Sequence, residues 1–341
     1  MEKLKAGLIG CGGRGRAHAV GYGQSDRVDM VACADTSEEA ARKLAEEFGI
    51  PRTYSSYTEM LTHEDLDVVS MALWTGLHHD AVMACVHAAK PPRLINAEKP
   101  MAPTFGEARS MHRACAEAGI MLTFSHQRRL TPCFARAREL LDEGAIGELW
   151  RLEAYCSNLF DWGTHWFDMM FFYNNDQPAE WVMGQIDVAR AHTVFGTLVE
   201  GYGLSYIKWR NGVMGLLATG DDNGGRCANR LIGSKGIIEV VGEDLRMLRE
   251  GKQWESPALE KCEVPGGATT LYILESIECL AEGRESLLSS RRALQATELI
   301  FATYESARRR ARVRLPLDIE DSPLLSMVRD GELTVQPTPP K

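Results

Sequence analysis

No apolar run in this 341-residue chain approaches the length needed to cross a bilayer. Its nine cysteines form no C-x-x-C pair, and an odd count without paired spacing does not read as a disulfide framework. Internal repeats and low-complexity segments are missing, which sets aside solenoids and disordered arms. Positive charge is in deficit. The net charge of −9 argues against nucleic acid or an anionic membrane surface as the main partner. One basic run, Arg308-Arg309-Arg310-Ala311-Arg312, points the other way. It follows a long helical pattern, where cations complement the helix dipole, and needs no nucleic acid to explain it. The first strand begins within a few residues of Met1, so no signal peptide and a cytoplasmic location are expected.

What is present is an ordinary globular composition, 45% hydrophobic and 25% charged. The length exceeds what one core usually supports, so two domains are expected. The clearest local signal opens the chain. Ala6-Gly7-Leu8-Ile9 is short and apolar enough for a buried strand, and Gly10-Cys11-Gly12-Gly13-Arg14-Gly15 follows as a G-x-G-x-x-G. In that spacing Gly10 permits the tight turn, Gly12 lets a pyrophosphate approach the backbone, and Gly15 lets helix and strand pack closely. The anion then sits on unpaired N–H groups at the helix start. A glycine-rich turn alone is weak evidence; a second strand ending in an acid roughly 20 residues on gives it meaning. Strand Val28–Ala34 and Asp35 supply that context. NAD is the expected cofactor, because Asp35 can accept both ribose hydroxyls and would repel a 2′-phosphate. Neither Thr36 nor Ser37 offers the arginine that a 2′-phosphate requires.

Strand–helix alternation continues through a helix over 38–48, a strand over 67–73 and a helix over 77–89. A strand at Leu94–Ala97, a helix at Phe105–Ala118 and a strand at Ile120–Phe124 follow. Such alternation means a parallel sheet with helices on both faces, and ligands bind beyond the carboxyl ends of its strands. Gly10, Asp35, Trp74 and Glu98-Lys99 all fall at those ends. The expected architecture is α/β: an N-terminal Rossmann dinucleotide-binding domain over 1–125, and a C-terminal α+β domain over 126–341 with an open, mostly antiparallel sheet. The second domain reads as a helix at Thr131–Glu143, a strand at Leu149–Cys156 and an aromatic-rich helix at Asp161–Tyr173. Strands at Trp181–Val188, Gly203–Trp209, Val213–Ala218, Cys227–Ile232 and Gly236–Val241 follow, then helices at Leu271–Ala281 and Arg292–Arg310. The proline-containing tail, 321–341, is expected to lie over the surface or a partner subunit. Too few helices follow residue 150 to cover both faces of that sheet, so a homodimer or homotetramer is expected.

Two places could do chemistry. Lys99, at a strand end beside the crevice, can hold a hydroxyl on its way to a carbonyl; the alternative is a surface lysine with a snorkelling stem. Asp161 and His165 share a face if their segment is helical, and Asp168 lies near it. A carboxylate beside an imidazole raises its basicity, which suits a general base. An N-cap role for Asp161 and a core histidine remain equally open. Trp162 could stack on a sugar ring, although paired tryptophans four apart (Trp162, Trp166) more often fill a core. A metal site is not expected, since the consecutive residues His78-His79-Asp80 point in different directions on a helix.

Together these motifs resemble one family, the glucose–fructose oxidoreductase, inositol dehydrogenase and rhizopine-catabolism (Gfo/Idh/MocA) family. The resemblance rests on the glycine motif, Asp35, Glu98-Lys99-Pro100, Gln127-Arg128-Arg129-Leu130-Thr131-Pro132, Gly144-Ala145-Ile146-Gly147, Asp161-x-Gly163-x-His165-x-x-Asp168 and Leu315-Pro316-Leu317. It implies Lys99, Asp161 and His165 as the catalytic set, with His165 the acid/base. It implies a cofactor set of Gly10, Gly12, Gly13, Arg14, Gly15, Asp35, Thr36, Trp74, His79, Glu98 and Lys99, with Arg129 and Trp162 toward the substrate. Glu98 and Lys99 would approach the nicotinamide ribose and ring. The chain departs from the family at Trp74-Thr75-Gly76, where a Thr-Pro-Asn turn is usual, and in the longer Lys90-Pro91-Pro92-Arg93 segment. The expected activity is NAD-dependent oxidation of a secondary alcohol of a sugar, sugar derivative or inositol. Redox-neutral glycoside cleavage with tightly held NAD and a non-catalytic nucleotide sensor are the alternatives.

Overall fold

The protein is described from a computed structural model covering residues 3–220 and 228–335. It divides into two compact units. The first holds β1 (Leu4–Ile9), α1 (Gly13–Tyr22), β2 (Val28–Ala34), α2 (Glu38–Phe48), β3 (Arg52–Tyr54), α3 (Tyr57–His63), β4 (Val68–Met71), α4 (His78–Val86), β5 (Leu94–Ala97), α5 (Phe105–Glu117) and β6 (Met121–Phe124). Its six strands run parallel in the order β3-β2-β1-β4-β5-β6. Every residue of β4 and β5 is buried, as strands covered on both faces must be. The order reverses between β1 and β4, and the chain leaves β1 at Gly10 beside that reversal, where such sheets take their ligands. Local chemistry explains the helix ends. Ser37 caps α2 by accepting from Ala40 N–H, Glu38 and Glu39 fill its first turn, and Gly49 closes it at φ +67°.

The second unit holds α6 (Pro132–Asp142), β7 (Leu149–Cys156), α7 (Gly163–Tyr173), β8 (Ala179–Asp187) and the ribbon of β9 (His192–Val194) and β10 (Thr197–Val199). β11 (Tyr202–Trp209), β12 (Met214–Thr219), β13 (Ala228–Gly233), β14 (Gly236–Val241) and β15 (Asp244–Arg249) follow. Its eight-stranded sheet has the order β15-β14-β13-β7-β12-β11-β8-β16, with β16 at Val313–Arg314. Only the β7–β12 pair is parallel. Burial alternates along β11, β12 and β13, so one face is core and the other turns outward. Helix α7 packs on β7 and β12, and α6 on β14 and β15.

Three expectations need correction. The second domain is not one continuous stretch, because Cys262–Leu294, with helix α8 (Gly267–Glu282), belongs to the first unit. There α8 packs against α1, where a Cβ on Gly21 would come within 3.0 Å of Ile273. The Tyr272 hydroxyl from α8 reaches the carbonyls of Ala97 and Thr123, each at 3.2 Å. The tail, expected over the surface or a partner subunit, folds in its described part against its own chain. It forms α10 (Pro323–Arg329), with Leu324 and Met327 buried, and Asp321 joins Ser326 to Arg308 of the long helix α9 (Ser290–Arg309). Residues 336–341, and Cys227 of the strand expected over 227–232, lie outside the described residues. The third correction is Asp161, which precedes the helix it was expected to share with His165. The short elements β3, α3, β9, β10, β15 and β16 were not expected, since two to seven residues carry little periodicity. The described cysteines are all free, and no described helix is long and apolar enough to cross a membrane.

Candidate active site

The glycine motif folds as its spacing demands. Gly10 adopts φ +90°, and a side chain there would strike the Ala72 carbonyl. A Cβ on Gly15 would strike the Gly10 carbonyl, so helix and strand can approach only with glycine. Gly12 and Gly13 instead face open space within 4 Å. Helix α1 starts at Gly13 with no side-chain cap, which leaves its first-turn N–H groups available to an anion. Asp35 stands beside this cradle. One carboxylate oxygen accepts Cys11 N–H at 2.7 Å and the other accepts Ser37 N–H at 2.8 Å. Each oxygen keeps a second lone pair for a ribose hydroxyl. Thr36 is exposed next to it. These residues fit a dinucleotide.

At the end of β5 the carboxylate of Glu98 is buried and held by Arg14 and His18. Arg14 Nε lies 3.0 Å from it and His18 Nε2 lies 2.9 Å away, while His18 Nδ1 meets Ser70 Oγ at 2.6 Å. Burial alone would raise the Glu98 pKa, but the bond to His18 and the charge of Arg14 outweigh it and hold the carboxyl at about 2. Glu98 thus ties the glycine loop to the strand end that bears Lys99, which is half-buried. Trp74 is 65% exposed at the end of β4. The neighbouring histidines diverge as helical geometry requires. His78 is buried against the Leu73 and Met101 carbonyls, whereas His79 is half-buried, 3.4 Å from Ser110 Oγ. Among the described residues no three His, Cys, Asp or Glu side chains gather as metal ligands.

In the second unit, Asp161, Trp162 and His165 lie on the loop after β7 and the first turn of α7. Asn158 shapes that loop. Its Oδ1 accepts Asp161 N–H at 2.6 Å and Trp162 N–H at 3.4 Å, and its carbonyl accepts Gly163 N–H at 2.8 Å. Asp161 is therefore neither on the helix nor its N-cap, which is Trp162. The His165 side chain is buried, with its ring 6.5 Å from that of Trp162. The two tryptophans part company: Trp166 is 1% exposed and belongs to the core, Trp162 is 38% exposed.

Arg129 does not fit a substrate contact. Its buried guanidinium bonds both oxygens of Asp168 at 2.9 Å and Asp176 at 3.0 Å, a structural knot between the segment before α6, the middle of α7 and the turn after it. Its neighbour Arg128 is half-buried, 4.5 Å over the Trp166 ring and 5.6 Å from that of Trp162. Nothing in Gln127-Arg128-Arg129 separates the two arginines; only burial does. Asn158, whose bonds are local but follow no periodic pattern, and the support of Glu98 by His18, which lies 80 residues away, were likewise not anticipated.

Residues 4–126 match the model of an oxidoreductase family with an NAD-binding Rossmann fold, Gfo/Idh/MocA. Over 367 aligned residues the chain is 26% identical to D-apiose dehydrogenase of Paraburkholderia graminis, covering 97% of this chain and 95% of that one. It is 26% identical over 145 residues to myo-inositol 2-dehydrogenase of Thermotoga maritima, covering 42% of each. Among solved structures, levoglucosan dehydrogenase in complex with NADH and levoglucosan superposes with a TM-score of 0.79 at 21% identity. That match covers 93% of this chain and all of the other, a likeness of fold. With the cradle, the acid after β2 and the six-stranded order already in place, residues 4–126 are similar to the NAD-binding Rossmann part of the Gfo/Idh/MocA oxidoreductases.

Proposed function

We propose that this protein oxidises a secondary alcohol of a sugar, sugar derivative or inositol with NAD. NAD, when bound, supplies the acceptor for the hydride from the carbinol carbon. His165 takes the hydroxyl proton, Asp161 orients the imidazole, and the Lys99 ammonium holds the oxygen as it becomes a carbonyl. Glu98, fixed by His18 and Arg14, supports the strand end before Lys99. The observation that carries the substrate class is Trp162, whose part-exposed ring lies beside His165. An apolar ring face next to a base suits a substrate with C–H groups on one side and hydroxyls on the other. The names of D-apiose and myo-inositol 2-dehydrogenase support the same class.

NAD is preferred over NADP because Asp35 presents negative charge where a 2′-phosphate would lie. Titration with both cofactors tests this; tighter binding of NADP overturns it. Incubation with NAD and a panel of sugars, inositols and aryl glycosides tests the reaction. NADH accumulation is expected, whereas aglycone release without NADH would favour redox-neutral cleavage. Lys99→Ala and His165→Ala should each cost ~100-fold or more in turnover while NAD binding persists. Near-normal activity of His165→Ala would make it a core histidine.

The outward sheet face carries Met183 at 52% exposure and Leu204 at 45%, and Met183, Tyr206 and Leu216 stand in one row across β8, β11 and β12. A second copy of the chain is the proposed cover, in a homodimer or larger assembly working in the cytoplasm. A monomeric mass by light scattering at micromolar protein would contradict it.

A further inference from the structure

We propose that Glu200 is a positioning residue of the proposed active site, anchoring through Leu159 the loop that carries Asp161 and leads into His165. The inference rests on the reading of those two residues given above. Glu200 lies in the short link between β10 and β11 and is wholly buried. One carboxyl oxygen accepts Leu159 N–H at 2.5 Å and Thr219 Oγ1–H at 3.3 Å; the other is 2.6 Å from the Tyr304 hydroxyl of α9. None of these three partners is a cation. A buried carboxylate with neutral partners is a costly way to accept one backbone N–H. Burial accordingly pushes the Glu200 pKa up, against the pull of the Tyr304 hydroxyl and the Leu159 N–H.

The rest of the loop is held as tightly. Asn158 fastens Asp161, Trp162 and Gly163. Phe160 packs edge-on against Phe301, with ring centroids 6.4 Å apart. Leu159 lies so close to Gly203 that a Cβ there would come within 2.6 Å of it. The Leu159 N–H is tied to a titratable side chain 41 residues away. Supporting contacts of this kind hold a reacting constellation to within a fraction of an ångström.

The carboxyl accepts from both Leu159 and Tyr304, and Glu200→Gln keeps the reach of the side chain and an amide oxygen that can accept Leu159 N–H. Glu200→Asp keeps the acid but shortens the reach. With NAD and the best substrate of the panel, Glu200→Gln should stay within about threefold of the parent in kcat. Glu200→Asp should lose about tenfold or more in kcat, with KM and NAD affinity unchanged, since small misplacements of a reacting group cost this much. An Asp variant with parental kcat, or a Gln variant as poor as the Asp one, overturns the proposal. If Glu200→Asp does not fold, Tyr304→Phe removes one hydroxyl from the same anchor. It should lower kcat several-fold, and parental kcat there is equally fatal. Titration of the His165 imidazole by NMR, without substrate, reads the anchor independently. It should shift in Glu200→Asp and return in Glu200→Gln. No turnover of any panel member with that shift present would condemn the substrate reading alone; turnover without the shift would condemn the anchor alone.

Discussion

Glu98 in the first unit and Glu200 in the second are both buried glutamates, and their surroundings make opposite acids of them. Glu98 meets Arg14 and His18 and is held at about 2, so it stays ionised. Glu200 meets an amide, a threonine and a tyrosine, and burial lifts it above its ordinary value. The first is a fixed charge tying the nucleotide loop to the Lys99 strand. The second has only neutral partners and takes the Leu159 N–H. Residue type set neither role; the partners did, and the same lesson separates Arg128 from Arg129 and Gly12 from Gly15.

The largest expected effect breaks the arginine pair. Arg129→Ala strands Asp168 in the interior and should cost about 3–5 kcal/mol of unfolding free energy. Arg128→Ala, which gives up stacking on exposed and core rings, should cost about 1 kcal/mol by the same denaturation measurement. Equal losses would erase the distinction.

The glycines come next. Gly15→Ala forces backbone apart at the Gly10 carbonyl and should destabilise by about 3 kcal/mol. Gly12→Ala meets no atom within 4 Å, so its melting temperature should hardly move while NAD affinity, by titration, drops. A Gly12→Ala protein that binds NAD normally would mean that the cradle is not where the pyrophosphate sits.

Glu98→Gln should cost about 2 kcal/mol near neutral pH, less than a fully buried pair because half of Arg14 faces water. The sign with pH follows from a depressed folded value. Stability from Glu98 is present above the unfolded carboxyl's range and is lost as pH falls toward about 2. Acid denaturation of the Gln variant should therefore be flatter over that window.

Glu200→Gln is the smallest effect and has the opposite sign. With a raised folded value, the folded state binds the proton more tightly than the unfolded one, so stability falls as pH rises from the unfolded carboxyl range through the folded value. The variant should gain on the parent as pH rises, with Tyr304, Thr219 and Leu159 N–H as the facing groups. A difference that does not change as pH rises above the unfolded carboxyl range would mean that burial does not lift Glu200.

Much of the nucleotide unit was legible because its signals are contiguous. A strand, a turn that needs glycine at fixed offsets, a helix and an acid after the next strand are all local requirements, so Gly10, Gly12, Gly15 and Asp35 could be read along the chain. The second unit resisted where side-chain partners override spacing. Asp161 read as helical because a spacing of four fits a helix, yet Asn158 holds it in the loop before one. Helix α8 read as part of the second domain because it follows that domain's strands, whereas its apolar face completes the first unit.

The sequence by itself determined the dinucleotide loop, the alternation that makes a parallel sheet and the residue types available for proton transfer, because these rest on backbone turns and periodicity. Tertiary structure decided which arginine is buried, which glutamate keeps its charge and which segment closes the first unit. Glu200 finds Leu159 across 41 residues and Tyr304 across 104. Charge state follows burial and partners, and no local pattern encodes a partner that far away.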